Sequence, residues 1–215
     1  MKNVVDIIIL SYNRKDFLLE IIEKLNNQTV KQFNLIIVDD GSKFVLDPNT
    51  IPNLTKYMWS KDNGYHRVSR LNEAVSFVES EYFIILDDDC VPIHNTFIET
   101  HINTLKKYDV SMGLLKFIEG GTNHGWFGTA NIGFRTESFR QIGCFDTSYD
   151  GHYGHEDTDL GETVKLIGLK QSQFNDQSSA LHKGKMYKDG DRTDVVIGHN
   201  SNVFKTKWGK DYDKL

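Results

Sequence analysis

The chain has 215 residues, with 25 basic and 30 acidic side chains, a formal net charge of −5, and a composition 39% hydrophobic and 26% charged. This fits one globular domain, or one domain with a small lobe, and excludes a disordered chain. The acidic balance excludes a general nucleic-acid binder, which needs a basic footprint, and no stretch approaches the roughly 20 apolar residues of a membrane span.

The first apolar run, Val4–Val5–Asp6–Ile7–Ile8–Ile9–Leu10, contains a charge, so no signal peptide is expected. It reads as a buried strand. Asn13 is placed as the N-cap of the helix that follows, with Asp16 three residues on. Phe17, Leu18, Ile21, Ile22 and Leu25 form that helix's apolar face. Leu35–Val38 is a second buried strand, stopping at Asp39–Asp40–Gly41–Ser42, and Tyr57–Trp59 is a short third one. Asp62–Asn63–Gly64 is a turn. Val68, Leu71, Val75 and Val78 then mark a helix, with Arg67 and Arg70 sharing a side of its first turns.

The next stretch organises the rest: five apolar or aromatic residues, Tyr82–Leu86, run straight into Asp87–Asp88–Asp89. Three adjacent carboxylates repel one another unless something offsets their charge. A divalent cation would do so, and Mn²⁺ or Mg²⁺ suits carboxylate plus phosphate. On an extended backbone Asp87 and Asp89 point the same way. Phe97, Ile98, Ile102 and Leu105 mark one more helix. Strands alternating with helices over residues 1–107 imply a doubly wound, parallel sheet.

After residue 107 the rhythm changes. Val110–Phe117 reads as a strand. The glycine-rich stretch 119–128, which includes Trp126, reads as a loop able to line a binding site. Thr129–Arg135 is extended and Glu137–Ile142 a short helix. A loop at Gly151–His155 leads into Glu156–Asp157–Thr158–Asp159, which opens a helix with Leu160, Val164 and Ile167 on one face. Acids in a first turn favour the helix dipole, which explains one or two of these three. Residues 200–209 are expected to form a short helix docked through Phe204 and Trp208. Cys90 and Cys144 lack metal-site spacing and read as reduced thiols of a cytosolic protein.

Together these pieces resemble the family 2 glycosyltransferases, inverting enzymes of the GT-A fold that use nucleotide-sugars. Ser11-Tyr12-Asn13-Arg14 resembles their first-strand motif, Val38-Asp39-Asp40-Gly41-Ser42 their nucleotide-binding "VDDGS", and Leu86-Asp87-Asp88-Asp89 their "DxD". Asn131–Arg135, Gly143-Cys144-Phe145-Asp146 and Gly151–Leu160 resemble the second half shared by chondroitin polymerases and β-1,4-galactosyltransferases. The resemblance runs from about residue 4 to about residue 183. It departs at Tyr153-Gly154-His155, where the family usually carries a tryptophan that packs on the acceptor sugar, and at Arg70-Leu71-Asn72, where it usually has an Arg-Asn pair.

The resemblance implies an α/β GT-A fold, Rossmann-like, with a central mostly parallel sheet flanked by helices. It implies a single domain over 1–215, with a nucleotide-binding half (1–107), an acceptor and catalytic half (108–183), and a C-terminal lid and docking helix (184–215). It implies a hexosyl- or N-acetylhexosaminyltransferase that uses a nucleotide-sugar, UDP-linked by family expectation. The acceptor is a glycan or lipid-linked glycan, and the cofactor Mn²⁺ or Mg²⁺. Donor contacts fall to Ser11, Tyr12, Asn13, Arg14, Asp39, Asp40, Asn63, Arg67, Arg70, Asp87 and Asp88. Asp40 or Asp39 accepts from the uracil ring nitrogen. Asp89 and His182 ligate the metal, with Asp87 holding the metal, its water or the ribose. Asp157 is the base, Glu156 binds donor or acceptor hydroxyls, and Trp126, Tyr153 and His155 meet the acceptor. From the residues themselves, the charge of Lys183, Lys185, Lys188 and Arg192 reads either as ordinary solvation or as a basic lid over the diphosphate. A cytoplasmic enzyme is implied, peripheral to the inner face of a membrane where its acceptor is lipid-linked.

Three rival readings each meet an obstacle. A metal hydrolase would need H-E-x-x-H, and His155-Glu156-Asp157-Thr158-Asp159 ends in aspartate. A nucleotidyltransferase would need a glycine-rich basic loop after the first strand. A non-catalytic glycan-binding module would have no use for Asp89, Asp157 and His182 together.

Overall fold

A computed structural model describes residues 4–123, 127–184 and 197–210. Its centre is an eight-stranded sheet in the order β3-β2-β1-β4-β7-β6-β8-β5. The strands are β1 (Val5–Ser11), β2 (Asn34–Asp39), β3 (Leu54–Trp59), β4 (Tyr82–Asp87), β5 (Cys90–Pro92), β6 (Val110–Phe117), β7 (Asn131–Arg135) and β8 (Asn175–His182). Among the described residues six α-helices flank it: α1 (Lys15–Asn26), α2 (Arg67–Ser76), α3 (Phe97–Leu105), α4 (Thr136–Ile142), α5 (Glu156–Leu166) and α6 (Ile197–Trp208).

The continuous apolar runs became strands because both faces of the sheet are covered. Along β1, Ile7 and Ile9 join one core with α1 and α3, while Ile8 and Leu10 join a second core with α2 and α5. β2 and β4 divide the same way: Leu35, Ile37, Ile84 and Leu86 face the first core, and Ile36, Val38, Phe83 and Ile85 the second. Phe204 of α6 is buried in that second core with Trp208 packed beside it, which is the docking expected of that pair.

β1 pairs in parallel with β2 on one side and β4 on the other, and β2 pairs in parallel with β3. β7 runs antiparallel to both β4 and β6, while β8 is parallel to β6 and antiparallel to β5. The sheet is therefore mostly but not wholly parallel. The chain winds outward from β1 to β3, then crosses back to lay β4 on β1's other side. That reversal opens a crevice at the carboxyl ends of β1 and β4, the usual ligand position in such sheets.

Two local expectations fail. Arg14, not Asn13, is the N-cap residue of α1, and it makes no side-chain cap bond. Asn13 is left-handed at φ +55, and its Oδ1 accepts from the Lys43 N–H while its own N–H donates to Ser42 Oγ, both at 2.8 Å. It clips the loop after β1 to the loop after β2. The three aspartates do not continue a strand either: β4 ends at Asp87, and Asp88 and Asp89 form a turn into β5.

Candidate active site

Three loops meet at the crevice. Ser11–Arg14 leaves β1, Asp39–Ser42 leaves β2, and Asp87–Asp89 leaves β4. The Tyr12 N–H donates to Asp88 Oδ2 at 2.8 Å. Arg14 Nη1 donates to Asp88 Oδ1 at 3.0 Å and to Asp89 Oδ2 at 2.6 Å. On the other side, Arg67 Nη2 donates to Asp87 Oδ1 at 2.8 Å. The turn thus sends Asp87 to one arginine and Asp88 and Asp89 to another. The expectation that Asp87 and Asp89 share a direction is corrected by that turn, since alternation requires an uninterrupted strand. Two arginines also offset much of the repulsion that was taken to demand a cation. Burial still pushes the Asp88 carboxyl up to about 7, with Arg14 opposing and Asp89 adding to the rise.

The paired acids after β2 divide their work. Asp39 is fully buried; its Oδ1 accepts from the Gly41 and Ser42 N–H groups and its Oδ2 from the Tyr57 hydroxyl. It builds the turn, with both oxygens engaged within the chain. Gly41 at φ +97 lets the turn pass Asp62 where a Cβ would collide with backbone, and Asp62 accepts from the Tyr12 hydroxyl at 2.8 Å. Asp40 faces α2 instead, accepting from Arg70 Nε and the His66 N–H, each at 3.2 Å. Ser11 is buried with its Oγ lacking a hydrogen-bond partner. Asn63 is exposed in the turn before α2.

Arg67 joins the two halves of the site. Besides Asp87 it pairs through Nε with Glu156 Oε1 at 3.1 Å, and its Nη2 donates to Thr129 Oγ1 at 3.0 Å. One guanidinium therefore ties the end of β4 to the start of α5 and to the turn before β7. Glu156 is buried, and its Oε2 has no hydrogen-bond partner. Burial raises its pKa against the pull of Arg67. Asp157 beside it is pushed up to about 7, first by burial and then by the Glu156 charge, with the Thr158 N–H opposing. Gly128 passes close to Asp157 Oδ2, at ordinary van der Waals distance for a Cβ.

The chemistry of β5 and β8 decides whether a metal fits. Cys90 and His182 are cross-strand partners, and Asp89, Cys90 and His182 each offer a ligand atom within 4.8 Å of the others. Two further observations favour a cation there. Among the described residues His182 Nδ1 is buried without a hydrogen-bond partner, and a Cβ on Gly184 would overlap Asp89 Oδ2, so the chain passes the carboxylate only because that residue lacks a side chain. Carboxylate plus imidazole suits Mn²⁺ better than Mg²⁺, which favours oxygen alone. Asp87 is not in this group. Cys90 was missed by sequence reasoning, which looked for spacing between cysteines rather than for a strand pair. Burial raises its thiol well above the ordinary range.

The loop before α5 is held from outside the sheet. Asp150 accepts from the Val68 and Ser69 N–H groups at 2.9 Å and 3.1 Å, fixing loop 146–155 to the start of α2. From α6, fully buried Asn200 places Nδ2 within 3.1 Å of the carbonyls of Tyr149, His152 and Gly154, which share its two N–H groups. Tyr153 lies edge-on to Tyr65 with ring centroids 6.1 Å apart. His155, left-handed at φ +68, sits 2.8 Å from Ser201 Oγ and stacks on Phe204. It takes part in the docking of α6. Asp159 has a similar task, accepting from Tyr149, Lys207 and Trp208. Lys183 donates to both oxygens of Glu20 at 2.7 Å, so it is tied to α1 rather than poised as a lid. Trp126, Lys185, Lys188 and Arg192 lie outside the described residues.

The model of glycosyl transferase family 2 matches residues 6–154. An uncharacterized glycosyltransferase of Rickettsia typhi is 33% identical over 108 residues, covering 49% of this chain and 33% of its own length. S. aureus TarS 1–349 in complex with UDP-GlcNAc superposes with a TM-score of 0.70 at 16% identity, over 90% of this chain and 62% of that one. The mannosyltransferase PcManGT from Pyrobaculum calidifontis, in complex with GDP-Man and Mn²⁺, gives 0.66 at 15%, over 88% and 59%. The chain thus spans a third of that curated relative and about three fifths of these structures. At such identities the structural likeness speaks for the GT-A fold alone.

Proposed function

The chain belongs to glycosyl transferase family 2, and on that premise we propose that it moves a sugar from a UDP-linked donor to a glycan or lipid-linked glycan hydroxyl, with inversion and with a divalent cation. The observation that carries this reading is the Arg67 bridge between Asp87 and Glu156. It brings the acidic end of β4, where a donor diphosphate would lie, against the start of α5, where a base would stand. The likeness of residues 131–160 to galactosyltransferase-type second halves supports the same division, and it covers Asp157, beyond the end of the family match.

The roles follow from the chemistry of each group. Tyr12, Ser11 and Asp40 line the place for the nucleoside, and Arg14 and Arg70 supply positive charge beside it. Asp89 and His182 would hold the cation, with Cys90 adjoining. The cation, when bound, neutralises charge gathering on the leaving diphosphate. Asp157 takes the proton of the acceptor hydroxyl, and a carboxyl held near 7 accepts a proton more readily than an ordinary aspartate. Glu156, fixed by Arg67, keeps one oxygen for a sugar hydroxyl. Tyr153 offers a ring to the acceptor. The complexes of TarS with UDP-GlcNAc and of PcManGT with GDP-Man and Mn²⁺ support a nucleotide-sugar donor. A lipid-linked acceptor would bring the enzyme to the inner face of a membrane; among the described residues no helix is long and apolar enough to cross one.

Calorimetry with UDP tests the reading. UDP should bind more tightly in Mn²⁺ than in EDTA, and Asp89→Ala should abolish the difference. Equal affinity with and without metal in the wild type would sink the metal-dependent reading.

A further inference from the structure

We propose that Arg14 is a built-in counter-ion of the metal-binding carboxylates: its guanidinium holds Asp88 and Asp89 until a divalent cation arrives, then turns to the donor's diphosphate. This rests on the donor reading above and adds an exchange step to it. The two arginines at the acidic turn differ in their freedom. Arg67 has a side chain only 12% exposed and is bonded to Asp87, Glu156 and Thr129 at once. Releasing it would leave buried Glu156 and half-buried Asp87 without their shared cation, which is costly. Arg14 is 33% exposed, while its partners Asp88 and Asp89 are 6% and 4% exposed. The acids are fixed and the base has a way out into solvent.

The two oxygens of Asp89 show what is exchanged. Oδ2 takes Arg14 at 2.6 Å, whereas Oδ1 lies 3.5 Å from Cys90 Sγ and 3.8 Å from His182 Nε2. A cation held by Asp89 and His182 would share that carboxylate with the guanidinium. Two positive centres within a few ångströms repel strongly in a buried setting, so the guanidinium leaves. The Arg14 backbone is anchored where β1 ends and α1 begins, so the freed side chain stays in the crevice. A diphosphate beside the cation is the natural new partner, since guanidinium matches phosphate oxygens in charge and fork geometry. Metal alone must then displace Arg14 without recompense. Nucleotide alone finds Arg14 occupied. Each ligand lowers the cost for the other, and that coupling is reciprocal.

The test is calorimetry on the full chain with Mn²⁺ alone, UDP alone and both together. Arg14→Gln should bind Mn²⁺ alone about 5–150-fold more tightly than wild type, the usual span of such couplings. The mutual enhancement between Mn²⁺ and UDP should shrink correspondingly. Lys15→Gln, which removes an exposed neighbouring charge, should stay near wild type, and Arg14→Lys, which keeps the charge but not the fork, should gain less Mn²⁺ affinity than Arg14→Gln. Equal or weaker Mn²⁺ affinity in Arg14→Gln would overturn the proposal, and so would an equal gain in Lys15→Gln, which would mean a general charge effect. Should Arg14→Gln not fold, the wild type still decides: Mn²⁺ and UDP binding independently of one another rules the exchange out. A wild type that binds UDP but no Mn²⁺ overturns the metal reading and this inference together. Metal-dependent UDP binding with an unchanged Arg14→Gln overturns this inference alone.

Discussion

Asp157 is a strained acid at the head of a helix, and the strain has a measurable sign. Its pKa in the folded chain is raised to about 7 by burial and by Glu156, against roughly 3.9 for an unperturbed aspartate. Between those values the folded state binds more protons than the unfolded one, so stability contributed by this group falls as pH rises. The contribution is fully present below about 4 and is lost by about 7. Asp157→Asn removes the ionisation but keeps an Oδ1 for the Thr158 N–H. The variant should therefore melt above wild type at pH 8, with the gap closing toward pH 4. A variant that melts below wild type across that range would make Asp157 an ordinary helix-start acid. Neighbouring acids behave differently for reasons of contact, not sequence. Glu156 answers to Arg67, and Asp159 to the tail helix through Lys207 and Trp208. In the sequence all three share a first turn, and only the family motif told them apart.

At the scale of elements, the strands were legible wherever burial is two-sided. The runs of β1, β2 and β4 are apolar on both faces and show themselves as such. β5 did not, because it has three residues, follows a turn, and ends in Pro92 at the sheet's edge, where proline is tolerated. With β5 went the Cys90–His182 pairing, so Cys90 was not joined to Asp89 and His182, which the motifs had already marked. The motifs marked the crevice, but the contacts within it join residues far apart in sequence: Arg14 to Asp89 and Arg67 to Glu156. No periodicity reports such pairs. The second of them carries a prediction about how the elements hold together. Arg67→Met leaves Asp87 and Glu156 without their shared cation. Breaking a buried ion pair from one side costs about 3–5 kcal/mol. Urea unfolding should show a loss of that order. A loss under ~1 kcal/mol, the scale of an exposed pair, would mean the bridge does not tie β4 to α5.

Across the whole molecule, two supports outside the sheet position the reacting groups. The reversal of strand order opens the donor crevice between β1 and β4. Loop 146–155, which leads to Glu156 and Asp157, hangs between α2 through Asp150 and α6 through Asn200. The residues of this second support give little sign of it beforehand. Phe204 and Trp208 mark α6 as a docked helix by spacing, but a buried asparagine bonded to three carbonyls looks like any polar surface residue in sequence. On the proposed reading these supports set base and donor against each other, so the outcome at the sugar carbon tests that reading. The most direct measurement uses methanol as a small acceptor, with an α-linked UDP-sugar and Mn²⁺, and reads the anomer of the methyl glycoside by NMR. A methyl glycoside cannot mutarotate, so its configuration records the reaction itself. Single displacement with Asp157 as base predicts the β-glycoside alone, formed roughly 10²–10⁴-fold more slowly by Asp157→Asn with UDP affinity unchanged. An α-glycoside, or an Asp157→Asn rate equal to wild type, would contradict it.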